Sequence, residues 1–503
     1  MKKQIQILFV FLLISFHTSA QNIPTKYAET ITQKDLKDYL TILASDALEG
    51  RETGTRGQKM AAAFIQEHFK SNGLKPVIQC DTYQSFLQPV PLEKGVPGDI
   101  YIKIDGNKKT NFKDIVYHGS MDMAEEESLE VVFGGEGKES DLEGLDLNGK
   151  GLLIFTKIET AELREKLQRE HGIRAFFIVN TDDDKSFNAL ASQYKYFTSG
   201  GSLHLKAKQE KKKDIGQFLI SPNMAAEIFH TRAKKLTKAI KKKNGGKSNA
   251  LKKIKPKSIA YKLKWNTENI DSENVLGYLK GTDKKEEVVV LTAHFDHLGK
   301  MGEQIYNGAD DNGSGAVAIM EIAQAFSDAK KAGNGPRRSI LFMTVTGEEK
   351  GLLGSEYYTN NPVFPLKNTV VDLNIDMIGR IDPKHKDNPD YVYLVGSNRL
   401  SSELHTLSEK VNETYTKLAL DYVYNDENHP DRIYYRSDHW NFAKNNIPVI
   451  FYFNGVHADY HQPTDTVEKI NFDQLHKRTL LVFYTAWEIA NREDRLKIDK
   501  EAK

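Results

Sequence analysis

Short apolar runs alternate with segments of helical spacing through the C-terminal half of the chain. The runs predict strands at residues 287–293, 338–346, 370–377, 391–395 and 449–453. Apolar residues three or four positions apart predict helices at residues 314–330, 400–415 and 472–491. This alternation predicts an α/β fold, with a mostly parallel (mixed) central sheet and helices on both of its faces.

The N-terminal third continues this pattern and then changes. Helical spacing marks residues 34–44 and 57–72, and short strands are predicted at residues 83–90 and 99–104. From about Val116, short strands dominate, at residues 131–135, 151–156 and 175–179, with a helix at residues 160–171. We therefore predict that a small β-rich unit, beginning at about Val116, is inserted between these elements and the α/β half of the chain.

The last part of the predicted insert, from Lys206 to Lys264, is rich in lysine. Basic runs can indicate nucleic-acid binding, but no aromatic residues interleave with the densest lysines, as base stacking requires. Acidic residues elsewhere balance the chain, whose formal net charge is +1. We interpret the lysine-rich tail as a solvated, partly helical surface segment and expect no nucleic-acid partner.

The first 20 residues predict a signal peptide. Lys2 and Lys3 precede an apolar run at residues 7–14, and Thr18-Ser19-Ala20 offers small side chains for cleavage. The run is shorter than the roughly 20 residues that a membrane-spanning helix needs. We expect export to the periplasm or the medium, without stable membrane insertion after cleavage; a buried N-terminal helix is the alternative.

Cys80 is the only cysteine, which excludes an intramolecular disulfide and a cysteine-rich zinc ribbon. Imidazole and carboxylate groups instead follow the predicted strands or precede the next helix. These groups are His294, Asp296, Asp311, Glu348, Glu349, Asp376 and His461. His-x-Asp and Glu-Glu pairs also occur elsewhere in the chain, so only their joint placement at strand ends is specific.

Such ligands, without thiolates, suit a catalytic zinc, cobalt or manganese ion. Five such ligands are more than one zinc ion with an open position needs. A carboxylate that bridges two ions about 3.5–4 Å apart accounts for this number of ligands. Simpler interpretations stay open: His294 and His461 as core histidines, the Asp310-Asp311 pair as a helix N-cap, and Glu349 as an N-cap for the next helix.

The joint pattern resembles metallopeptidase family 28, the di-zinc peptidases that include bacterial leucine aminopeptidases and glutamate carboxypeptidases. The matching stretches are AHFD from Ala293, GADDNGSG from Gly308, TGEE from Thr346, NIDM from Asn374 and DYHQPTDT from Asp459. Residues 43–57 resemble the N-terminal segment of the family. The resemblance covers roughly residues 30–115 and 265–495. It implies a discontinuous catalytic domain of residues 26–115 and 265–495, interrupted by a β-rich protease-associated domain of residues 116–262.

The resemblance implies two Zn²⁺ ions per chain, with Asp311 as the bridging carboxylate. His294 and Asp376 would complete one zinc site, and Glu349 and His461 the other. Glu348 would be the general base, and Asp296 would hold the second ring nitrogen of His294. His439 and His457, near these groups, are expected to be structural.

An exported zinc aminopeptidase acting on peptide substrates is therefore the predicted function. A glutamate-carboxypeptidase-like enzyme and a dipeptidase are alternatives. A glutaminyl cyclase and an inactive, receptor-like member of the fold are weaker ones, because every ligand position is retained and residues 311–315 resemble those of the peptidases. The sequence leaves the oligomeric state open.

Overall fold

The computed structural model describes residues 23–119, 121–157, 161–206, 216–247 and 249–500. The predicted signal peptide, and residues 207–215 and 248 of the lysine-rich tail, lie outside the described residues. Within these ranges no helix is both long enough and apolar enough to cross a membrane. The chain forms two compact units, one of Met1–Leu92 with Ile270–Lys503 and one of Glu93–Asn269.

A mixed sheet forms the centre of the first unit. Its strands lie in the order Ala419–Asp421, Tyr391–Val395, Val449–Phe453, Thr369–Ile375, Lys284–His294, Arg338–Val345 and the last residues of Lys257–Leu279. The four strands from Val449–Phe453 to Arg338–Val345 are parallel to one another. Tyr391–Val395 is antiparallel to Val449–Phe453 and parallel to Ala419–Asp421, and Val275 to Leu279 is antiparallel to Arg338–Val345, so the predicted mostly parallel, mixed sheet is confirmed.

The remaining elements of the first unit are helices, helical turns and two hairpins. The helices are Gln33–Leu43, Arg56–Ser71, Gly315–Lys331, Leu353–Asn360, Ser402–Val411, His439–Ala443 and Phe472–Asn491, with residues 23–28 also helical. The helical turns are Asp46–Arg51, Ala309–Ser314, Leu366–Asn368, Pro383–His385, Asn412–Thr416, Val423–Asn425, Ile433–Tyr435 and Val467–Lys469. The hairpins pair Ile78–Gln79 with Gln84–Ser85 and Gly299–Met301 with Gln304–Tyr306.

Alternating side chains of the central strands pack into two different apolar clusters. On strand Lys284–His294, Val289 and Leu291 belong to one cluster, whereas Val288 and Val290 belong to the other. The first cluster includes helices Gly315–Lys331 and Phe472–Asn491, and the second includes His439–Ala443. Because successive side chains of a strand point to opposite faces, this division places helices on both faces of the sheet.

The second unit has a sheet and apolar clusters of its own. The strands lie in the order Lys257–Leu279 (its first residues), Glu127–Phe133, Gly151–Phe155, Ala175–Val179, Gly216–Ile220 and Ile115–His118. Further strands are Leu87–Ile104, which begins in the first unit, Asn107–Thr110 and Ser202–Leu205. The helices are Glu139–Leu142, Ala161–His171, Asp184–Thr198, Pro222–Ile228 and Ala233–Asn244, with a helical turn at Leu251–Lys253.

The predicted elements of the catalytic half are present, but the boundary of the insert differs from its prediction. Residues 93–115, assigned from sequence to the catalytic domain, lie in the second unit. Helix Ala233–Asn244 falls within the lysine-rich tail, which was interpreted as partly helical, and buries Leu236, Ala239 and Ile240 along one face. The likeness of the insert to a protease-associated domain stays a prediction.

Glu321 is a buried carboxyl group in the middle of helix Gly315–Lys331. One of its oxygens accepts a hydrogen bond from the Thr32 main-chain N–H at 3.1 Å, and its side chain is 1% exposed. Burial raises the pKa of Glu321 to about 8, from an ordinary value of 4.5. At neutral pH the folded protein therefore keeps a proton on Glu321 that the unfolded chain has released.

We expect the free energy of unfolding to fall as pH rises from about 5 to 8, because over this window the folded state binds more protons than the unfolded state. Glu321→Gln removes that dependence and stabilises the protein by on the order of 2 kcal/mol at pH 8, and much less at pH 5. Urea unfolding at both pH values measures the effect, with the exposed Glu303→Gln as control. An equal gain at both pH values would contradict a titrating Glu321.

Candidate metal centre

The predicted ligands are carried by adjacent parallel strands. His294 is the last residue of strand Lys284–His294, and Asp376 directly follows strand Thr369–Ile375. Glu348 and Glu349 come just after strand Arg338–Val345. Since parallel neighbours end at the same edge of a sheet, strands far apart in sequence bring these groups together at the edge where α/β folds place their sites.

One group of donor atoms forms around His294. Its Nε2 lies 3.4 Å from Asp311 Oδ1 and 3.3 Å from Asp376 Oδ1. All three side chains are buried, and their ligand atoms lie within 4.8 Å of one another. This is the arrangement predicted for the first metal position.

The second group forms around His461, in the segment that follows strand Val449–Phe453. His461 Nε2 lies 3.1 Å from Asp311 Oδ2 and 3.2 Å from Glu349 Oε2. Asp311 thus offers Oδ1 to the first group and Oδ2 to the second. One carboxylate therefore faces both groups of donor atoms.

His297, which sequence reasoning missed, also belongs to the second group. It is fully buried, and its Nδ1 lies 2.7 Å from Glu349 Oε1 and 3.9 Å from Asp311 Oδ2. His297, Asp311 and Glu349 have ligand atoms within 4.8 Å of one another. A signal was present in the sequence, because His297 follows His294 by three residues in the same strand-end loop.

Asp296 is near His294, but the contact differs from the prediction. The Asp296 main-chain carbonyl lies 3.1 Å from His294 Nδ1, whereas its carboxylate oxygen is 3.8 Å away. The carboxylate instead accepts hydrogen bonds from Thr53 Oγ1 at 2.6 Å and from the Glu348 N–H at 3.3 Å. The Asp296 carbonyl therefore orients the imidazole, and its carboxylate holds the loop that carries Glu348.

Glu348 lies beside the first group, with Oε2 3.9 Å from His294 Nε2. Burial raises the pKa of Glu348 well above its usual range, and the negative charges of Glu349 and Asp376 add to this effect against the opposing imidazole of His294. A carboxyl group with a raised pKa next to metal ligands is suited to take up and return a proton.

Nearby imidazoles lower the pKa of two other carboxyl groups in the centre, Asp311 and Glu349. Burial alone would raise the pKa of Asp311, but His297, His294 and His461 hold it well below its usual range. Burial and Asp311 oppose ionisation of Glu349, yet His297 and His461 lower its pKa to about 2. Both groups are therefore ionised, as metal-binding carboxylates must be.

Hydrogen bonds fix the segment that carries the bridging residue. The Asp465 carboxylate accepts from the N–H groups of Asp310 and Asp311 at 3.0 and 3.1 Å. Asp310 does not follow the N-cap interpretation: it accepts from the Gly379 N–H and lies 3.1 Å from His457 Nε2. His457 is thus a structural partner of Asp310, as expected from sequence.

A chain of two hydrogen bonds fixes the carboxylate of Asp376. Ser437 Oγ donates to Asp376 Oδ2 at 2.7 Å, and Asn374 Nδ2 donates to Ser437 Oγ at 2.8 Å. His439 follows closely in the chain but is fully buried, and burial lowers its pKa to about 3, so it is neutral. Ser437 therefore supports a candidate ligand, whereas His439 belongs to the core.

The donor set fits a metal centre. Three imidazoles and three carboxylates converge, and among the described residues the buried Asp311 Oδ2 has no hydrogen-bond partner of good geometry. Nitrogen and carboxylate oxygen donors of this kind suit zinc. The core-histidine alternative for His294 and His461 does not explain why each faces two carboxylates.

Comparison with known proteins agrees with this geometry. Residues 274–486 match the profile of peptidase family M28. This part of the chain is similar to members of that family. The M28 region contains every predicted ligand and the Glu348-Glu349 pair, and it lies entirely within the first unit.

Curated relatives are aminopeptidases of similar sequence. A probable leucine aminopeptidase of Arthroderma otae is 32% identical over 215 residues, covering 41% of this chain and 55% of the relative. Aminopeptidase YwaD of Bacillus subtilis is 28% identical over 253 residues, covering 49% of this chain and 50% of the relative. The chain thus spans about half the length of the curated relatives it matches.

Solved structures show the same fold over nearly the whole chain. An aminopeptidase from Aneurinibacillus sp. strain AM-1 superposes with a TM-score of 0.55 at 19% identity, covering 95% of this chain and 98% of that one. BSAP, a zinc aminopeptidase from Bacillus subtilis, gives a TM-score of 0.50 at 20% identity, covering 94% and 99%. At these identities the likeness describes the fold.

Asp311→Asn tests the shared carboxylate. The amide keeps the shape but loses the charge and one acceptor oxygen, so we expect the variant to retain at most half of the zinc that the parent protein binds. The neighbouring and equally buried Asp310→Asn is the matched control and should keep its zinc. Mass spectrometry of metal content after dialysis measures both; full zinc content in Asp311→Asn would contradict the assignment.

Proposed function

We propose that the protein is an exported zinc-dependent aminopeptidase that hydrolyses N-terminal residues of peptides. The arrangement that carries this proposal is Asp311, which faces His294 and Asp376 with one oxygen and Glu349 and His461 with the other. Glu348 lies beside the first group. The aminopeptidase names of the relatives support the same activity.

Two zinc ions would be held by the assigned residues, His294, Asp311 and Asp376 for one, and Asp311, Glu349 and His461 for the other. When bound, zinc supplies Lewis acidity that polarises a peptide carbonyl and lowers the pKa of water towards 7. Glu348 accepts the proton of the attacking water and passes it to the nitrogen of the leaving amine. The Asp296 carboxylate holds the main chain at Glu348 during this transfer.

A small cavity of about 40 Å³ opens beside Asp311, Glu348 and Asp376. Its walls are mainly apolar, and they include Met377, Ile433, Phe451, Phe453 and Val456. Such walls accept an apolar side chain by removing its surface from water. An apolar N-terminal residue is therefore the preferred substrate, and the acidic inner end of the cavity attracts a positively charged α-amino group.

A second candidate is a carboxypeptidase that recognises a free C-terminal carboxylate. The observation in its favour is Arg436, which lines the same cavity and lies 3.3 Å from Tyr460 Oη through its Nη2. A guanidinium group is well suited to bind a carboxylate. Leucine p-nitroanilide and an N-acetylated dipeptide separate the two activities, because the first has a free amine and no free carboxylate, and the second has the reverse.

Export is part of the proposal and rests on the order of Lys2, Lys3, the apolar run and Thr18-Ser19-Ala20. Cell fractionation combined with N-terminal sequencing of the mature protein tests it. Removal of about 20 residues and recovery outside the cytoplasm supports export. A full-length protein that stays in the cytoplasm would overturn it.

Glu348→Gln tests the general base. The amide cannot accept the proton of water, so we expect kcat for leucine p-nitroanilide to fall by about 10²–10⁴-fold with little change in zinc content. The exposed Glu303→Gln is the control and should leave both quantities unchanged. Loss of zinc together with activity in Glu348→Gln would make the residue a ligand instead.

A further inference from the structure

Residues 51–53 contact the metal centre although they lie far outside the M28 region at residues 274–486. Glu52 forms a parallel β-bridge with His297, and the His297 N–H donates to the Arg51 carbonyl at 3.2 Å. The N-terminal segment therefore runs alongside the strand-end loop that carries Asp296 and His297.

Arg51 ties together the two loops that carry His294 and Asp311. Its side chain is 1% exposed and donates to the carbonyls of Phe295 at 2.7 Å, Asn307 at 2.7 Å and Gly308 at 2.9 Å. A fourth bond goes to the Leu43 carbonyl at 2.5 Å. One guanidinium thus satisfies buried carbonyl groups next to both metal-binding stretches, which would otherwise be costly to bury.

The N-terminal segment lies so close to the hairpin of residues 299–306 that position 50 must be glycine. Gly50 has φ of +68°, and a Cβ atom at this position would lie 2.5 Å from the carbonyl oxygens of both Gly299 and Tyr306. No side chain fits there without moving the backbone of the hairpin. The position of residues 51–53 is therefore fixed on both sides, by Gly50 packing and by the Arg51 hydrogen bonds.

From this fixed position, Thr53 contacts the buried carboxylate of Asp296. Its side chain is 6% exposed, and Oγ1 donates to Asp296 Oδ2 at 2.6 Å. The other oxygen, Asp296 Oδ1, accepts from the Glu348 N–H at 3.3 Å. A continuous path of two hydrogen bonds therefore joins Thr53 to the main chain of Glu348.

We propose that Thr53 is a positioning residue of the metal centre: its hydroxyl orients the Asp296 carboxylate, which in turn sets the place of Glu348. The inference rests on the proposed function for the role of Glu348 and on the contacts alone for the role of Asp296. Without the hydroxyl, the buried carboxylate loses a donor and turns towards His294 Nδ1, now 3.8 Å away. Both the proton-accepting group and the first metal position are then disturbed.

Thr53→Val is the test, because valine keeps the shape of threonine and removes only the hydroxyl. We expect kcat for leucine p-nitroanilide to fall about 10-fold, KM to stay within about twofold, and zinc affinity to fall several-fold, as for residues that support metal ligands. Thr53→Ser restores the hydroxyl and should recover most of the lost rate and affinity.

Thr55→Val is the matched control within the same Thr53-Gly54-Thr55 stretch. Among the described residues, its Oγ1 donates to the Glu52 carbonyl, at 2.7 Å, and not to Asp296. We expect this variant to match the parent in kcat, KM and zinc affinity. An equal loss in Thr55→Val would show a general loosening of the loop and would overturn the proposal.

A readout without catalysis separates this inference from the proposed function. Competition with a chromophoric chelator gives the zinc affinity of each variant, and the visible spectrum of the cobalt-substituted protein reports the geometry around the metal. Weaker zinc binding and a changed spectrum in Thr53→Val alone support the proposal even if the parent protein hydrolyses no peptide. Identical zinc affinity and spectra in Thr53→Val and the parent would overturn it.

Discussion

The structure of the site depends on one buried carboxylate that faces two sets of ligands. Asp311 is 3% exposed and has an imidazole within 3.4 Å of each of its oxygens. A buried charge is tolerated only where opposite charges and hydrogen bonds compensate for lost hydration. His297, His294 and His461 lower the pKa of the Asp311 carboxyl group, and Asp465 accepts a hydrogen bond from the Asp311 N–H and so fixes its main chain. Every other group in the centre is placed relative to this side chain.

The sheet makes this arrangement possible at little cost to stability. Three neighbouring parallel strands end together and deliver His294, the Glu348-Glu349 pair and Asp376 to the same edge. Side chains along the strands fill two separate apolar clusters, so the rigid part of the unit is distinct from the polar edge. The reactive groups are consequently held by strand ends and by short loops that the N-terminal segment fastens through Arg51.

The sequence predicted the sheet, and the imidazole and carboxylate groups that lie together at its edge, because both have local signatures in the sequence. Continuous apolar runs identify buried parallel strands, and metal-binding side chains placed just after them stand out against the other His-x-Asp and Glu-Glu pairs. The helix Ala233–Asn244 has a weaker signal in the sequence, since its three buried positions are spread among many lysines. His297 was visible as a residue type, but nothing in its spacing showed that its ring faces Glu349.

What the sequence determined by itself is the type of fold, the set of ligand side chains and their order along the chain. Only the tertiary structure decided which oxygen of Asp311 faces which histidine, that Asp296 meets His294 through its carbonyl, and that Thr53 reaches the Asp296 carboxylate. The reason is physical. Periodicity and residue type are local properties, whereas a hydrogen bond between residues more than 200 positions apart depends on how whole segments pack.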